Sequence, residues 1–292
     1  MQNCGVIGLG GMGGPMAQRL HAAGLLILAW NRTRERIQAW ADELDLPLAD
    51  GPAAVAAAAD VIILSVSRDV DVLAVIDQML DSLRPGTVVI DTSTVSAQTA
   101  RAAAARLATV GVEFLDAPVS GGVEGARNGK LSMMVGGDPA VLERVRPVLT
   151  HLAANVIHMG PHGAGQMTKA VNQIVVAGVA QGVCEALAFG RAAGLPMEKV
   201  IEVVSGGAAG NWFLDHRGPT MVRDSFAPGF RLSLHHKDLG ICREMARDMT
   251  SDQHSALPTV EMTMRHYERL MDQGHGDDDI SALFRIKTEA LG

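Results

Sequence analysis

The stretch "CGVIGLGGMGGPMAQRLHAAG", which runs from Cys4 to Gly24, decides the fold. A short apolar run comes first, then five glycines within seven residues, then an alanine-rich segment. Glycine weakens regular structure through backbone entropy, so a core strand has no use for such a cluster. A strand, then Gly8-x-Gly10-x-x-Gly13, then a helix is the arrangement that binds a dinucleotide. The alternative is a glycine-rich turn that holds no ligand.

The residues at the end of the second predicted strand indicate which dinucleotide fits. An acidic residue at this place would accept a hydrogen bond from the ribose 2′-OH of NAD. This chain has Asn31, Arg32 and Thr33 instead. A carboxylate would repel a 2′-phosphate, whereas an arginine pairs with it through charge-assisted hydrogen bonds. We therefore predict NADP(H) rather than NAD(H), the alternative being a surface arginine cluster at the start of a solvated helix.

Composition excludes several classes of protein. The chain has 292 residues, 48% of them hydrophobic, and a formal net charge of −7, which is an ordinary globular composition. The sequence has no basic tract of the kind that binds nucleic acid. The N-terminus has no basic region typical of a signal peptide, and polar residues interrupt the apolar region 170–190, which predicts a buried helix and no membrane span. We expect a cytoplasmic protein with its three cysteines reduced and buried.

Histidines give no metal-ligand spacing, so we predict no metal site. We interpret them as surface or helix-cap residues. The ones considered are His158, His162, His235 and His236.

Short β-branched runs alternate with longer alanine-rich stretches over the first part of the chain. This alternation predicts an α/β fold with a doubly wound, mostly parallel sheet. The predicted strands are Cys4–Leu9, Leu25–Trp30, Val61–Val66, Thr87–Asp91, Val112–Leu115, Ser132–Val135 and Asn155–His158. From Gln166 to Ala193 there is neither a strand signal nor a proline, which predicts a long helix, and the remainder reads as helical. We predict a dinucleotide-binding domain over 1–162 and an all-α domain over 163–292.

Two later stretches offer polar groups for a small acid. In "DAPVSGG" (116–122), Ser120, Gly121 and Gly122 place a hydroxyl and backbone N–H groups in a loop that can hold an anion or form a tight turn. In "GAGQMTKAVNQ" (163–173), Lys169 lies on an otherwise apolar helix, where an unpaired ammonium is costly to bury. Asn172 follows three residues later on the same face. The pair could donate a proton and clamp a substrate, or Lys169 could extend its ammonium to solvent.

Four stretches together resemble the β-hydroxyacid dehydrogenase family, which includes 3-hydroxyisobutyrate dehydrogenase, tartronate semialdehyde reductase and the glyoxylate and succinic semialdehyde reductases. "GVIGLGGMGGPMAQRL" (5–20) is similar to its cofactor signature and "DAPVSGG" to its substrate signature. "GAGQMTKAVNQ" is similar to its catalytic Lys-x-x-Asn helix, and "HHKDLG" (235–240) to its C-terminal signature. The resemblance covers essentially the whole chain and is more specific for the family than for a substrate.

The resemblance implies a Rossmann domain, a long interdomain helix and an all-α domain for substrate binding and dimerisation, in a homodimer or homotetramer. It implies that Lys169 is the general acid/base. The substrate-binding positions it implies are Ser120, Gly121, Gly122, Asn172, Thr94, Trp212, Phe230 and Asp238. The cofactor-binding positions it implies are Gly8, Leu9, Gly10, Gly11, Met12, Gly13, Asn31, Arg32, Thr33, Val66, Ser67, Thr94 and Lys237.

The function that follows is NADPH-dependent reduction of a small semialdehyde or 2-oxo acid to the hydroxy acid. Candidate substrates are glyoxylate, succinic semialdehyde and tartronate semialdehyde. An NAD-dependent 3-hydroxyisobutyrate or serine dehydrogenase is one alternative, because "GNW" (210–212) resembles the serine dehydrogenase-like members. An imine reductase is another, although imine reductases generally lack the "DAPVSGG" loop. A non-catalytic NADPH-binding protein would bind the cofactor without turnover.

Overall fold

The computed structural model describes residues 2–249 and 257–291. The chain folds into two compact units, Met1–Lys169 and Ala170–Gly292. The domain boundary between residues 162 and 163 remains a prediction.

The first unit contains one sheet with a mostly parallel arrangement. Its strands are β1 (Cys4–Ile7), β2 (Leu26–Trp30), β3 (Val61–Leu64), β4 (Val88–Asp91), β5 (Glu113–Asp116), β6 (Val119–Ser120), β7 (Leu131–Gly137) and β8 (Ala153–Gly160). The strand order is β2-β1-β3-β4-β5-β7-β6, with β8 beside β7. Strands β1 to β5 pair in parallel, whereas β7 runs antiparallel to β5 and β6. The predicted α/β class is confirmed.

Helices connect these strands. They are α1 (Gly13–Ala22), α2 (Gln38–Glu43), α3 (Pro52–Ala58), α4 (Asp69–Met79), α5 (Ala97–Ala108), α6 (Gly122–Asn128) and α7 (Pro139–Leu149), and α8 (Ala164–Ala192) follows the last strand. Proline stands in the first turn of α3 and α7, where its missing N–H and fixed φ cost nothing. Ser96 caps α5 by accepting a hydrogen bond from the N–H of Thr99. The local chemistry thus determines where several helices begin.

The strands β1, β3 and β4 are buried on both faces, which explains their runs of apolar residues. In β3, Val61 and Ile63 belong to one core cluster, while Ile62 and Leu64 belong to the other. Successive side chains of a strand point to opposite faces, and each face is covered by helices.

The segment after β5 differs from the prediction. Residues 120–122 were expected in a loop, but Ser120 ends β6 and Gly122 begins α6. Both elements are too short to show a hydrophobic period of their own. Gly121 joins them with a φ of 122°, a conformation that favours glycine. The backbone N–H groups of this segment therefore stand at a helix start.

The second unit is helical in its described part. After α8 come α9 (Met197–Ser205), α10 (Trp212–Val222), α11 (Leu232–Met249), α12 (Pro258–Asp272) and α13 (Leu283–Leu291). Their apolar faces enclose a core that contains Tyr267 and Phe284, both fully buried. His235 is also fully buried, so its interpretation as a surface or cap residue is wrong. Its imidazole contacts the Tyr267 hydroxyl and the Gln173 carbonyl at 3.0 and 3.2 Å.

Among the described residues, α8 is the one helix long and apolar enough to cross a membrane by length and composition. Half of its most apolar 18-residue stretch is buried inside the protein. The buried polar side chains of Gln173 and Gln181 make hydrogen bonds there. These features are those of a core helix.

Two buried carboxyl groups lie side by side in the sheet. Asp91 and Asp116 are register partners on the neighbouring strands β4 and β5, and neither is exposed. One Asp91 oxygen accepts a hydrogen bond from the N–H of Ser93 at 2.9 Å, while the other is buried without a partner in the described part of the chain. Burial, assisted by the negative charge of Asp116, raises the pKa of Asp91 to about 7. Asp91 therefore changes charge near neutral pH.

This pKa predicts a pH dependence of stability. Between about pH 4 and pH 7, Asp91 ionises in the unfolded chain but stays protonated in the folded one, so the free energy of unfolding falls as pH rises. One such proton contributes about 1.4 kcal/mol per pH unit. Urea unfolding at pH 5, 6, 7 and 8 measures this pH dependence of the free energy of unfolding. Asp91→Asn should gain stability relative to the wild type as pH rises, and a difference independent of pH would contradict the assignment.

Candidate active site

The glycines of the first loop differ in what requires a glycine at each position. Gly8 has a φ of 93°, and a Cβ there would collide with the carbonyl oxygen of Ser65. A Cβ on Gly13 would collide with the carbonyl oxygen of Gly8. These two glycines are required by the close packing of β1, β3 and α1.

At Gly10, packing against the rest of the protein does not require a glycine. Apart from Gly10 itself and its two neighbours in the chain, no described residue has an atom within 4 Å of the place that a Cβ on Gly10 would take. The space lies just before α1, whose first backbone N–H groups have no acceptor inside the helix. Bare backbone, free space and the positive end of a helix fit the pyrophosphate of a dinucleotide. The remaining loop positions predicted to bind cofactor lie in the same segment: Leu9, Gly11 and Met12.

Asn31 ties this loop to the end of β2. Its side-chain oxygen accepts a hydrogen bond from the N–H of Leu9 at 2.9 Å, and its side-chain nitrogen donates to the carbonyl of Thr33 at 2.9 Å. Arg32 is 75% exposed, and its Nη1 lies 3.0 Å from an Asp71 oxygen. Asn31 therefore orders the loop, while Arg32 presents its guanidinium at the surface beside it.

Two further loops stand at the carboxyl ends of β3 and β4. The N–H of Val66 donates to the hydroxyl of Ser93 at 2.9 Å, which joins the two loops. Ser67 is exposed and Thr94 is half-buried. In open parallel sheets, ligands bind at this edge, so the structure brings these predicted positions to the edge that carries the glycine loop.

Gln166 holds the loop that contains Thr94, a role that the sequence reasoning missed. Its side-chain oxygen accepts a hydrogen bond from the N–H of Val95 at 3.2 Å, and its nitrogen donates to the carbonyl of Ser93 at 2.8 Å. The side chain is buried. Its spacing could have identified it, since Gln166 lies three residues before Lys169 on the same helix face.

Asp116, also missed, fixes where α8 begins. One carboxylate oxygen accepts a hydrogen bond from the N–H of Gly163 at 2.8 Å, the other from the N–H of Gln166 at 3.0 Å. Burial raises the pKa of Asp116, although these hydrogen bonds act in the opposite direction. The sequence signal that could have identified Asp116 is an acidic residue directly after an apolar strand run. The carboxylate anchors the helix that carries both Gln166 and Lys169.

Lys169 is buried, so its ammonium does not extend to solvent. Its side chain is 7% exposed, and its Nζ donates to the carbonyl of Val119 at 3.0 Å. Val119 directly precedes Ser120, so the ammonium lies beside the segment 120–122. Helix α8 thus contacts two predicted segments: Lys169 bonds beside Ser120, and Gln166 bonds to the residues on either side of Thr94.

In the second unit, polar side chains are linked in series by hydrogen bonds and an ion pair. Asn172 donates to the side-chain oxygen of Gln173 at 2.8 Å, and Gln173 donates to Asp238 at 2.6 Å. The other oxygen of Asp238 lies 2.9 Å from the Nζ of Lys237. Asp238 is 5% exposed, so its pairing with Lys237 is more than a solvated charge pair.

The carboxylate determines the orientation of both amides. An ionised Asp238 can only accept hydrogen bonds, so Gln173 must turn its NH₂ group toward it. The Gln173 oxygen then faces Asn172, which must donate with its own NH₂ group. The carboxamide of Asn172 is thereby fixed in one of its two possible orientations.

The remaining predicted substrate positions, Trp212 and Phe230, each contact a different set of residues. Trp212 is 57% exposed and stacks on His216 with ring centroids 4.2 Å apart. The neighbouring Asn211 caps α10 by accepting a hydrogen bond from the N–H of Leu214. Phe230 packs against the core of the second unit, its ring centroid 5.2 Å from that of His235. Their roles toward a substrate remain predictions.

No cluster of three or more His, Cys, Asp or Glu residues in the ranges 2–249 and 257–291 could hold a metal ion. The three cysteines are buried thiols: Cys4, Cys184 and Cys242.

Comparison with known proteins identifies relatives along nearly the whole chain. Residues 3–160 match the NAD binding domain of 6-phosphogluconate dehydrogenase, and residues 163–286 match the NAD-binding family of NADP-dependent 3-hydroxyisobutyrate dehydrogenase. An NAD-dependent L-serine dehydrogenase of Pseudomonas aeruginosa is 34% identical over 98% of each chain. The 2-hydroxy-3-oxopropionate reductase of Escherichia coli is 35% identical over 96% of this chain and 94% of its own length.

A solved structure has the same fold. The 3-hydroxyisobutyrate dehydrogenase of Mycobacterium tuberculosis, with L-serine, superposes with a TM-score of 0.86 at 32% identity. The alignment covers 98% of this chain and 99% of the other.

The hydrogen bonds of Gln166 generate a prediction of stability. Gln166→Ala leaves the carbonyl of Ser93 and the N–H of Val95 buried without this partner, which should lower the free energy of unfolding by about 1–3 kcal/mol. Urea denaturation measures it. The exposed Gln78, which bonds only within its own helix, provides the control, because Gln78→Ala should cost less than about 0.5 kcal/mol. Equal losses in the two variants would contradict a specific role for Gln166.

Proposed function

This chain belongs to the β-hydroxyacid dehydrogenase family, and we propose that it uses NADPH to reduce a small semialdehyde or 2-oxo acid to the hydroxy acid. The single observation that carries the proposal is the buried ammonium of Lys169, whose Nζ lies 3.0 Å from the carbonyl of Val119, next to Ser120. The relatives include an L-serine dehydrogenase and a 2-hydroxy-3-oxopropionate reductase. What we propose beyond membership of the family is the class of substrate and the use of NADPH.

Lys169 acts as the general acid. A carbonyl that accepts hydride develops negative charge on its oxygen, and an ammonium beside it stabilises that charge and then transfers a proton. Burial strengthens this interaction, because the surroundings of a buried group screen charge less than water does. The start of α8, held by Asp116, fixes the position of the lysine.

The segment 120–122 receives the substrate carboxylate. Ser120 offers a hydroxyl, and the following residues offer backbone N–H groups at the start of α6. N–H groups at such a helix start favour an anion. Asn172, with its carboxamide oriented by Gln173 and Asp238, contributes a further hydrogen-bond group. The acid is thereby oriented with its carbonyl toward Lys169.

NADPH supplies the hydride when it is bound. The open backbone at Gly10 and the start of α1 would hold its pyrophosphate. Arg32 would pair with the 2′-phosphate. Val66, Ser67 and Thr94 would line the nicotinamide side, and Lys237 would contact the cofactor as the family resemblance implies.

The relatives support a second candidate, an NAD-dependent dehydrogenase of serine or 3-hydroxyisobutyrate. One relative is an NAD-dependent L-serine dehydrogenase, and the superposed structure contains L-serine. Initial rates distinguish the two candidates. The test uses NADPH and NADH with glyoxylate, tartronate semialdehyde and succinic semialdehyde, and NAD⁺ and NADP⁺ with serine and 3-hydroxyisobutyrate. A cytoplasmic homodimer or homotetramer is also part of the proposal.

Loss of the ammonium should abolish most of the turnover. Lys169→Ala should lower kcat by roughly 10²- to 10⁴-fold, the usual contribution of a general acid, while the Kd for NADPH stays near the wild-type value. Steady-state kinetics and fluorescence titration measure the two quantities. Lys199, an exposed lysine of α9, gives the control, since Lys199→Ala should keep full activity. Full activity in Lys169→Ala would refute the mechanism.

Reversal of charge at position 32 should change the cofactor preference. Arg32→Asp replaces a cation with a group that repels the 2′-phosphate, so the Kd for NADPH should rise at least roughly tenfold, equivalent to about 1.4 kcal/mol. The Kd for NADH should change little. Arg106→Asp on α5 makes the same change of net charge at a surface ion pair with Asp77 and controls for long-range electrostatics. Unchanged NADPH affinity in Arg32→Asp would exclude Arg32 as the determinant.

A further inference from the structure

One carboxylate of the first unit holds two arginines that come from different segments. An oxygen of Asp71 lies 3.0 Å from Nη1 of Arg32 and 3.4 Å from Nη2 of Arg68. The second oxygen lies 3.1 Å from Nε of Arg68. The two guanidinium groups therefore share one oxygen atom and lie next to each other.

The charges in this cluster, made of Arg32, Arg68 and Asp71, do not balance. Two cations meet one anion, so the three side chains carry a net charge of +1. The carboxylate side chain is 13% exposed, whereas the Arg32 and Arg68 side chains are 75% and 61% exposed. The carboxylate thus lies beneath, and the guanidinium groups lie toward the surface. Each has five N–H donors, and contact with Asp71 engages only part of that capacity.

Stability alone gives little reason for this arrangement. Exposed ion pairs contribute little to folding, because water and salt screen them and the long side chains lose entropy. A second arginine on an already paired carboxylate adds still less. Both guanidinium groups lower the pKa of Asp71, so the carboxylate remains ionised and keeps them together at neutral pH.

The sheet topology places the cluster beside the dinucleotide loop. Arg32 follows β2 and Arg68 follows β3, and these are the two neighbours of β1 in the sheet. Because the three strands are parallel, their carboxyl ends lie at one edge. The loop Gly8–Gly13 leaves β1 at that edge, between the segments that carry the arginines.

We propose that Arg68 is a second specificity residue, which binds the 2′-phosphate of NADP(H) together with Arg32 on the scaffold of Asp71. This inference rests on the proposed use of NADPH. A phosphate monoester offers three acceptor oxygens and a charge of about −1.5 to −2 near neutral pH. Two adjacent guanidinium groups match this better than one. Asp71 holds both side chains near the binding position before the cofactor arrives, which reduces the entropy lost on binding.

The test uses adenosine monophosphates, because their binding does not depend on turnover. Calorimetry measures the Kd of 2′-AMP, 3′-AMP and 5′-AMP for the wild type, Arg68→Ala, Arg68→Lys and Arg32→Ala. Arg68→Ala should weaken 2′-AMP roughly tenfold, since charge-assisted hydrogen bonds are lost, and should leave 5′-AMP nearly unchanged. Arg68→Lys should recover part of the affinity, because it keeps the charge without the planar fork. Unchanged 5′-AMP binding also shows that the variants are folded.

The outcomes separate this inference from the proposed function. If Arg32→Ala weakens 2′-AMP and Arg68→Ala does not, the role of Arg68 is refuted while the NADPH preference stands. If neither variant weakens 2′-AMP, both are refuted. If Arg68→Ala weakens 3′-AMP as much as 2′-AMP, Arg68 is a general anion contact and its role as a specificity residue is refuted. Arg106→Ala should leave all three affinities unchanged.

Discussion

The hydrogen bonds between the Asp116 carboxylate and the N–H groups of Gly163 and Gln166 are the interaction on which the site depends. A buried carboxylate is costly unless it is hydrogen-bonded, and the start of a helix offers unpaired donors and a positive end. Satisfying these donors fixes the residue at which α8 begins. Since successive side chains on one helix face are three or four residues apart, Gln166 and then Lys169 take fixed positions from that start. One buried charge thereby positions both the loop of Thr94 and the ammonium beside Ser120.

The same logic operates in the second unit, where one ionised group again orders neutral ones. Asp238 determines the orientation of Gln173, and Gln173 that of Asn172. Amides alone could adopt either orientation, because their two ends have similar shapes but opposite hydrogen-bonding roles. Buried carboxylates therefore give direction to the polar groups of both units, while the apolar parts of the helices supply the cohesion of the core. Of the charged residues on α8, Lys169 is buried and hydrogen-bonded, whereas Glu185 and Arg191 form ion pairs nearer the surface.

Much of the architecture follows from the sequence. The strand runs of β1 to β5 and the long helix after residue 160 could be predicted, because apolar periodicity is a local signal, whereas the sequence left open whether Lys169 is buried or extends to solvent. The pair β6 and α6 could not, since two and seven residues show no period. Asp116 and Gln166 were missed because their partners lie 47 to 73 residues away in the chain. His235 was placed wrongly for the same reason: its partner Tyr267 lies on a different helix. Contacts of long sequence separation need the folded structure.

The central claim is that the ammonium of Lys169 meets the reacting oxygen of an acid held by residues 120–122. A crystal structure of the protein with NADP⁺ and a small hydroxy acid measures this directly. Nζ of Lys169 should lie within hydrogen-bond distance, about 2.7–3.2 Å, of the hydroxyl oxygen, with the carboxylate on Ser120 and its neighbouring backbone N–H groups. An acid bound away from Ser120, with Lys169 donating to Val119 and not to the acid, would contradict the claim.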